Sequence, residues 1–567
     1  MIRVKMRLPC LCLGLWLLTA PLLVQGLDSP MLTHGAAATA HPLATQAADD
    51  VYRRGGNSVD AAVAASLVLS VVEPTMSGLG GRAQAIVRLE SGEFVGYNGM
   101  TEIPKDFTPT ADMPSSGYTT VATPGLVALL WALHQGHGKL PFAELVQPAM
   151  RYAQEGFVLL PGEAARHQSK LESLRADKGM SAHFLSYQDD KQGVATAAGA
   201  RLVQPVLAKT LAAIASGGTD AFYRGDIARL IGADMRSNGG FVTEQDLADY
   251  KVLPGRYISF PYRDLMIHTL AAPAGGGIVA RALTILNLYD VAALSNSSWA
   301  VLVSQALALS LDAVSTDYEE RDLAKLSDPQ WARDASQAIR LPQLKQLSQR
   351  PVLSDQLASA TDWIGTPAAH TSHFVTADCS GQTVSLTQTI GPVFGANVAT
   401  PELGFAYAAT MGGYLRTGKQ IPGDRPRTSI APVIITRNNQ LVAALGAAGG
   451  IRIPSAIVQT ISRYVDQGKS LSEALAAPRV HPKNIIDENN QRIVTLDAFD
   501  AEMTAGGWSQ EQLKAWTAAG FKVKEIDSHA SFGRVHALAL GDAELAGAAD
   551  PDWEGSATQP ANCRISD

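Results

Sequence analysis

Cysteine is scarce in this chain, 4 in 567 residues, and two of the four, Cys10 and Cys12, fall at the very start. That count excludes a small scaffold held together by disulfides. Charge is also thin, at 17% of residues with a net of -7, and no dense run of Lys and Arg occurs. A nucleic-acid surface is therefore excluded. No apolar run like the one at residues 8–24 recurs, so no internal membrane span is expected. A Gly-x-Ser-x-Gly elbow, which would mark a serine hydrolase, is missing. The pairs His134-x-x-His137 and His370-x-x-His373 each lack a third ligand at a familiar spacing, so no metal is expected. "GLGGRA" at 78–83 has the outline of a dinucleotide loop, but it follows a helix and precedes a strand, the reverse of the required order.

What is present begins with the basic "MIRVKMR" followed by the apolar "LPCLCLGLWLLTAPLLV". This reads as a secretory signal covering residues 1–26, cut after Gly26, and predicts a periplasmic or secreted protein with no membrane attachment afterwards. Removal of the signal leaves Cys379 and Cys563. A bridge between them and two separate small hydrophobes both remain open. With 46% hydrophobic residues the chain can fill a large core, as several units or as one multilayer domain.

Apolar spacing predicts helix from Ala38 to Val72 with a break at Gly55-Gly56-Asn57, a hairpin over "AQAIVRLESGEFVGYNG", and helix at 124–160 and through most of 203–330. Residues 330–370 read as a soft polar connector. Strands are predicted at 372–378, 382–390, 430–436 and 440–445, and helices at 454–467, 471–477 and 508–519. Strands in hairpins fit two mainly antiparallel sheets with helices outside better than a doubly wound parallel sheet.

The segment "AAHTSHFVTADCSGQTVSLTQTIGPVFG" places hydroxyls at 371, 383, 385, 387 and 389, one face of a strand pair. A three-residue loop, Cys379-Ser380-Gly381, sets a register in which opposed positions sum to 760, so Thr371 faces Thr389. Threonines favour strands in any case. Thr371 differs because it begins a strand directly after the connector. A backbone break there would give it a free amine, which can serve as the base for its own hydroxyl. An α-amino group has a reference pKa of about 7.7–8.0 and is partly neutral at working pH.

These residues, together with "THGAAATAHPLATQAADDVYRRGGNSVDAAVAASLVLSVVEPTMSGLGG", "GGFVTEQDLADYKV", "RPRTSIAPVII", "AAGGIRIP", "LAAPRVHP" and "AADPDWEGSA", resemble the γ-glutamyltranspeptidase family over nearly the whole chain after the signal. The resemblance implies an α+β N-terminal-nucleophile hydrolase with a four-layer αββα sandwich, a precursor cut between His370 and Thr371, a large subunit of 27–370 and a small one of 371–567. It implies Thr371 as the nucleophile, Thr389 as its supporting threonine, Thr428 and Ser429 as substrate-binding hydroxyls, and Gly449 and Gly450 as the oxyanion hole. The partners implied are a small-molecule amide and the two subunits themselves, and the chemistry needs no cofactor.

The chain departs from the family pattern where the glutamyl head is held. Met100 stands in place of an arginine, Gly391 in place of an asparagine, and Thr410 and Gly413 in place of a glutamine and an acid. Charge-assisted contacts are worth roughly 1.5–3 kcal/mol each, so these losses weaken the grip on a zwitterion. Arg82 and Arg416 are the candidate replacements for the lost cation. The expectation is a γ-glutamyl-type amidohydrolase or acyltransferase, with two alternatives: an acylase for a non-glutamyl amide, or a catalytically reduced member serving as a binding or assembly protein. His373 is expected to pack and His370 to be a linker residue or a modulator of the cut.

Overall fold

The computed structural model describes residues 1–2, 34–109, 113–187, 193–316, 322–341, 370–413, 421–486, 492–504, 506–541 and 544–563. The predicted signal and its Gly26 boundary, most of the connector, and Arg416 lie outside the described residues.

Local signals mark the first two helix starts. After strand β1 (Gly35–Thr39), helix α1 (Pro42–Arg53) begins with proline at its first turn, and the His41 side chain accepts from the Leu43 amide at 3.1 Å. Helix α2 (Ser58–Val72) opens on a capping box: Asn57 accepts from the Asp60 amide at 3.0 Å while Asp60 accepts from the Asn57 amide at 3.1 Å. Every α2 residue is buried, as its lack of a polar face requires. Strands β2 (Arg82–Arg88) and β3 (Phe94–Gly99) form the expected hairpin. Helices α3 (Leu126–His137), α4 (Phe142–Glu155) and α5 (Pro205–Tyr223) follow.

The predicted helical region at 203–330 is interrupted by a second hairpin, β4 (Tyr257–Tyr262) and β5 (Leu265–Leu270), before α6 (Gly276–Leu286) and α7 (Asn296–Thr316). Next come β6 (Ser372–Asp378), β7 (Thr383–Thr389), β8 (Val433–Arg437), β9 (Gln440–Ala448) and α8 (Ile453–Val465). Beyond 445 the apolar pattern predicts only helices; these are present as α8, the short helix Leu471–Ala476 and α9 (Gln510–Ala518), but β10 (Val480–Ile486), β11 (Arg492–Glu502), β12 (Lys522–Ile526), β13 (Arg534–Leu540) and β14 (Glu544–Ala549) lie there as well. The second half of the predicted helix start, Ala38–Thr39, is also strand. Its alanines favour helix, but β1 is paired on both edges and pairing overrides that weak preference.

Two seven-stranded sheets result. One runs β1-β6-β7-β2-β3 with short segments at its edges; the other runs β14-β13-β9-β8-β5-β4 with a short segment beside β14. All of their large pairings are antiparallel. Helices α1 to α5 cover the outer face of the first sheet and α6 to α8 that of the second. Between the sheets lies a core of alanines and branched aliphatic residues, in which Ala36, Val375 and Ala377 meet Ile434, Ala444 and Leu538. This is the αββα sandwich expected. The open question of the cysteines is also settled: Cys379 and Cys563 are bonded, with Cα atoms 4.9 Å apart. The bridge ties the β6–β7 turn to the end of the described chain.

Several histidines are buried as neutral rings, His41, His268 and His373 among them. Burial lowers His41 and His268 to about 4 and His373 to about 3, from an ordinary 6.5. The unfolded chain therefore binds more protons than the native one between those values, and stability falls as pH drops through 6.5 toward 4. Each ring contributes a loss of about 1.4 kcal/mol per pH unit in that window. The melting temperature should decline clearly from pH 7 to pH 5; a flat profile there would contradict neutral burial.

Candidate active site

The hairpin register places the hydroxyl face. Ser372 pairs with Gln388 and His373 with Thr387, so opposed positions sum to 760 as expected, and Thr371 leads into β6 beside the Thr389 end of β7. Even-numbered residues turn to the helical layer: Ser372 donates to Glu73 at 2.5 Å, and Gln388 donates to Ser77 at 2.6 Å. Odd-numbered ones turn between the sheets. Ser385 donates to the Leu445 carbonyl of β9 at 3.1 Å, and Thr387 bonds the His373 ring at 2.8 Å. The His373 ring fills the space beside Gly446 and packs, as expected. Ser385 and Thr387 are thus satisfied in the space between the sheets, and Thr383 donates to the Gly381 carbonyl in its own turn at 3.2 Å.

Thr371 and Thr389 are different. Both hydroxyls donate to the same acceptor, the carbonyl of His370, Thr389 at 3.0 Å. The Gly391 amide donates to Thr389 Oγ1 at 2.9 Å, which occupies a lone pair and leaves the Thr389 proton for the carbonyl. Gly391 has φ 91°, a conformation open to glycine at no steric cost, and this accounts for glycine at that position. A hydroxyl held against the carbonyl of the residue before it, with a second hydroxyl polarising that carbonyl, is arranged for acyl transfer from nitrogen to oxygen. His370 is itself buried and neutral. Burial, then the cations Lys170, Arg534 and Arg166, hold it down at about 3.

Sequence reasoning missed the charges behind this bond. Arg534, at the start of β13, donates to the Thr371 carbonyl at 3.2 Å and lies 3.5 Å over the Trp553 ring, with Arg166 4.2 Å from the same ring. Burial lowers Arg534 to about 10, opposed chiefly by Glu73. Glu73 is raised by burial and held back first by Arg534. The signal was available: Arg534 is a charge on the apolar strand "RVHALAL", and Glu73 a carboxylate closing an all-buried helix.

The other expected residues are spread around this centre. Gly449 and Gly450 follow β9, and Ala448 just before them is the register partner of Arg534. Gly449 has φ 140°, and a Cβ there would stand 2.6 Å from the Gly533 Cα, so only glycine fits. The short helical turn Gly450–Arg452 then leads into α8. Thr428 and Ser429 are buried; the Thr428 amide donates to the Pro273 carbonyl in the turn before α6 at 2.7 Å, and the Thr428 hydroxyl accepts from the Ile430 amide at 3.2 Å. No hydrogen bond joins them to Thr371 among the described residues. Met100 is fully buried, with its carbonyl accepting from Tyr250 at 2.7 Å. Thr410 and Gly413 bound one short helical turn. Among the described residues no group of acids, histidines and cysteines could hold a metal.

A family model described as gamma-glutamyltranspeptidase matches residues 44–559. The chain belongs to the γ-glutamyltranspeptidase family. The glutathione hydrolase proenzyme of Escherichia coli (strain K12) is 28% identical over 554 residues, 91% of this chain and 90% of that protein. The acylase ACY 1 proenzyme of Pseudomonas sp. (strain V22) is 32% identical over 475 residues, 79% of this chain and 82% of that one. Among solved structures, the cephalosporin acylase from Bacillus halodurans aligns with a TM-score of 0.79 at 25% identity, over 93% of this chain and 96% of that one. As a γ-glutamyltranspeptidase relative the protein is an enzyme of the N-terminal-nucleophile hydrolase class, and its chemistry is amide hydrolysis and acyl transfer.

Proposed function

We propose that this family member is an exported precursor that cuts itself between His370 and Thr371 and then works with Thr371 as an N-terminal nucleophile. Export rests on the basic and apolar amino-terminal pattern, and places the mature protein in the periplasm or outside the cell. In the cut, Thr371 Oγ attacks the His370 carbonyl carbon, the peptide C–N bond breaks to leave an ester, and water hydrolyses that ester. The products are a carboxylate at His370 and a free amine and hydroxyl on Thr371. The freed amine then takes the hydroxyl proton as Thr371 attacks an external amide. The acyl group passes to water or to an acceptor amine.

In this reading Thr389 polarises the carbonyl and later holds the nucleophile. The amides of Gly449 and Gly450 receive the oxyanion, and Thr428 and Ser429 hold the substrate. The observation that carries the reading is the shared acceptor, since the hydroxyls of Thr371 and Thr389 meet on the one carbonyl ahead of Thr371. Relatives carry the names of both glutathione hydrolases and acylases. The altered residues Met100, Thr410 and Gly413 favour an acyl group other than glutamyl.

Denaturing electrophoresis with amino-terminal sequencing tests the cut. Two fragments are expected, the smaller beginning Thr-Ser-His-Phe; a single persistent chain would overturn the reading. Thr389→Val keeps the shape but removes the donor, and maturation should slow by about a hundredfold, the usual cost of one lost donor to a developing oxyanion. Maturation at an unchanged rate would remove Thr389 from the mechanism.

A further inference from the structure

The amine freed at Thr371 has to be neutral to accept a proton, and the charges around it decide whether it is. Arg534, the first residue of β13, is fully buried and donates to the Thr371 carbonyl at 3.2 Å. Backbone geometry keeps a carbonyl oxygen within about 3.7 Å of the nitrogen of its own residue, so the guanidinium nitrogen lies at most about 7 Å from the future amine. Trp553 fixes the cation in place: Arg534 lies 3.5 Å over its ring, and Arg166 is 4.2 Å from the same ring.

Nothing cancels this cation locally. Among the described residues no carboxylate is hydrogen-bonded to Arg534, and its Nε and Nη1 have no hydrogen-bond partner. Glu73, the acid that acts most on Arg534, accepts instead from the Ser372 hydroxyl at 2.5 Å, and burial raises its carboxyl. Of the other acids facing the site, Glu163 is bonded to Arg166 and Asp550 to Arg479. Burial keeps His370, His373 and His536 neutral. After burial, the groups that hold the His370 ring down are Lys170, Arg534 and Arg166, all of them cations. That ring belongs to the residue just ahead of the amine, so the field at the cut is positive.

The geometry points to Arg534 as a positioning residue that sets a fixed positive charge beside the Thr371 amine and so keeps that amine unprotonated at neutral pH. This rests on the proposed reaction at Thr371. A positive charge beside an amine disfavours its ammonium form. At about 7 Å inside a protein, one such charge moves a titration down by about one to two pH units. Without it, an α-amine titrates at about 7.7–8.0 and is mostly protonated at pH 7. Arg534 itself, held down by burial to about 10, is still charged there.

The test follows kcat/KM of the mature enzyme from pH 5 to pH 9, on the better of γ-glutamyl and butyryl para-nitroanilide, because the acid limb of that profile reads the free base. The unaltered enzyme should show its acid limb below about pH 7. Arg534→Gln should move the limb up by about one pH unit, which is a loss of about tenfold at pH 6 that closes by pH 9. Arg534→Lys, which keeps the charge, should leave the limb near its original place. An unmoved limb in Arg534→Gln would overturn the inference, and so would a loss uniform across pH, the mark of a purely structural role. Where Arg534→Gln does not mature, the unaltered enzyme still decides. The rate at which acetic anhydride labels its Thr371 amine, followed against pH, should titrate below about 7.7, and a titration at about 7.7–8.0 or higher would overturn the inference. A cut, active enzyme with an unmoved limb defeats only the role of Arg534. A chain that is never cut and turns over no anilide defeats the reaction at Thr371 as well.

Discussion

Thr371→Ala should yield one uncut chain and lower amide turnover by at least about 10⁴-fold, the scale seen when a covalent nucleophile is removed. The substitution removes two groups through one atom. Without Oγ nothing attacks the His370 carbonyl, and without the cut no α-amine is freed to serve as base. The backbone around the site does not depend on the hydroxyl: Arg534 still reaches the residue's carbonyl at 3.2 Å, and the hairpin register is set by β6 and β7. The variant should therefore fold, with circular dichroism close to that of the unaltered precursor. Thr371→Ser, which keeps both groups, should mature and turn over substrate more slowly, because loss of the methyl frees the hydroxyl to other rotamers. Electrophoresis and an anilide assay read both outcomes. A Thr371→Ala protein that still divides in two and still hydrolyses an amide would place the chemistry elsewhere.

Asp550→Ala should cost about 3–5 kcal/mol of stability, because it leaves a buried guanidinium without its counter-ion. Arg479 donates to Asp550 at 2.6 Å, with the two side chains 3% and 1% exposed. The same arginine donates to the carbonyls of Gly533 at 2.9 Å and Leu475 at 2.7 Å, while Asp550 also accepts from the Val535 amide at 3.1 Å. These bonds fasten the start of β13 to the short helix Leu471–Ala476, and β13 begins with Arg534, which holds Thr371. Loss of stability should thus bring slower maturation with it. Replacing both partners with apolar residues, Arg479→Met with Asp550→Leu, should recover only part of the loss: the unpaired guanidinium is gone, but the buried Glu502 carboxyl loses the cation that holds it down, and the Gly533 and Leu475 carbonyls lose their donor. Thermal denaturation of the single and double variants measures this, and a single variant as stable as the parent would show the pair to be dispensable.

The strand pair at the site was legible in the order of residues alone. Side chains alternate with a period of two, so the loop Cys379-Ser380-Gly381 and the apolar alternation fixed the register and set Thr371 beside Thr389. Apolar spacing, with the Gly55-Gly56-Asn57 break, marked α1, α2 and α8 in the same local way, and long motifs carried the family. Local periodicity missed β4 and β5, and also β10 to β14, because short apolar runs read alike in helices and strands until a partner strand is known.

Which residues meet across hundreds of positions emerges from the packing of the sheets. The bridge between Cys379 and Cys563 needs their Cα atoms brought to 4.9 Å, which no spacing in the chain reveals. Arg534 reaches Thr371, and Arg82 reaches Thr410, across sequence separations of 163 and 328. The physical reason is that backbone preference acts over a few residues, whereas the placing of buried charge depends on which surfaces the packed sheets enclose.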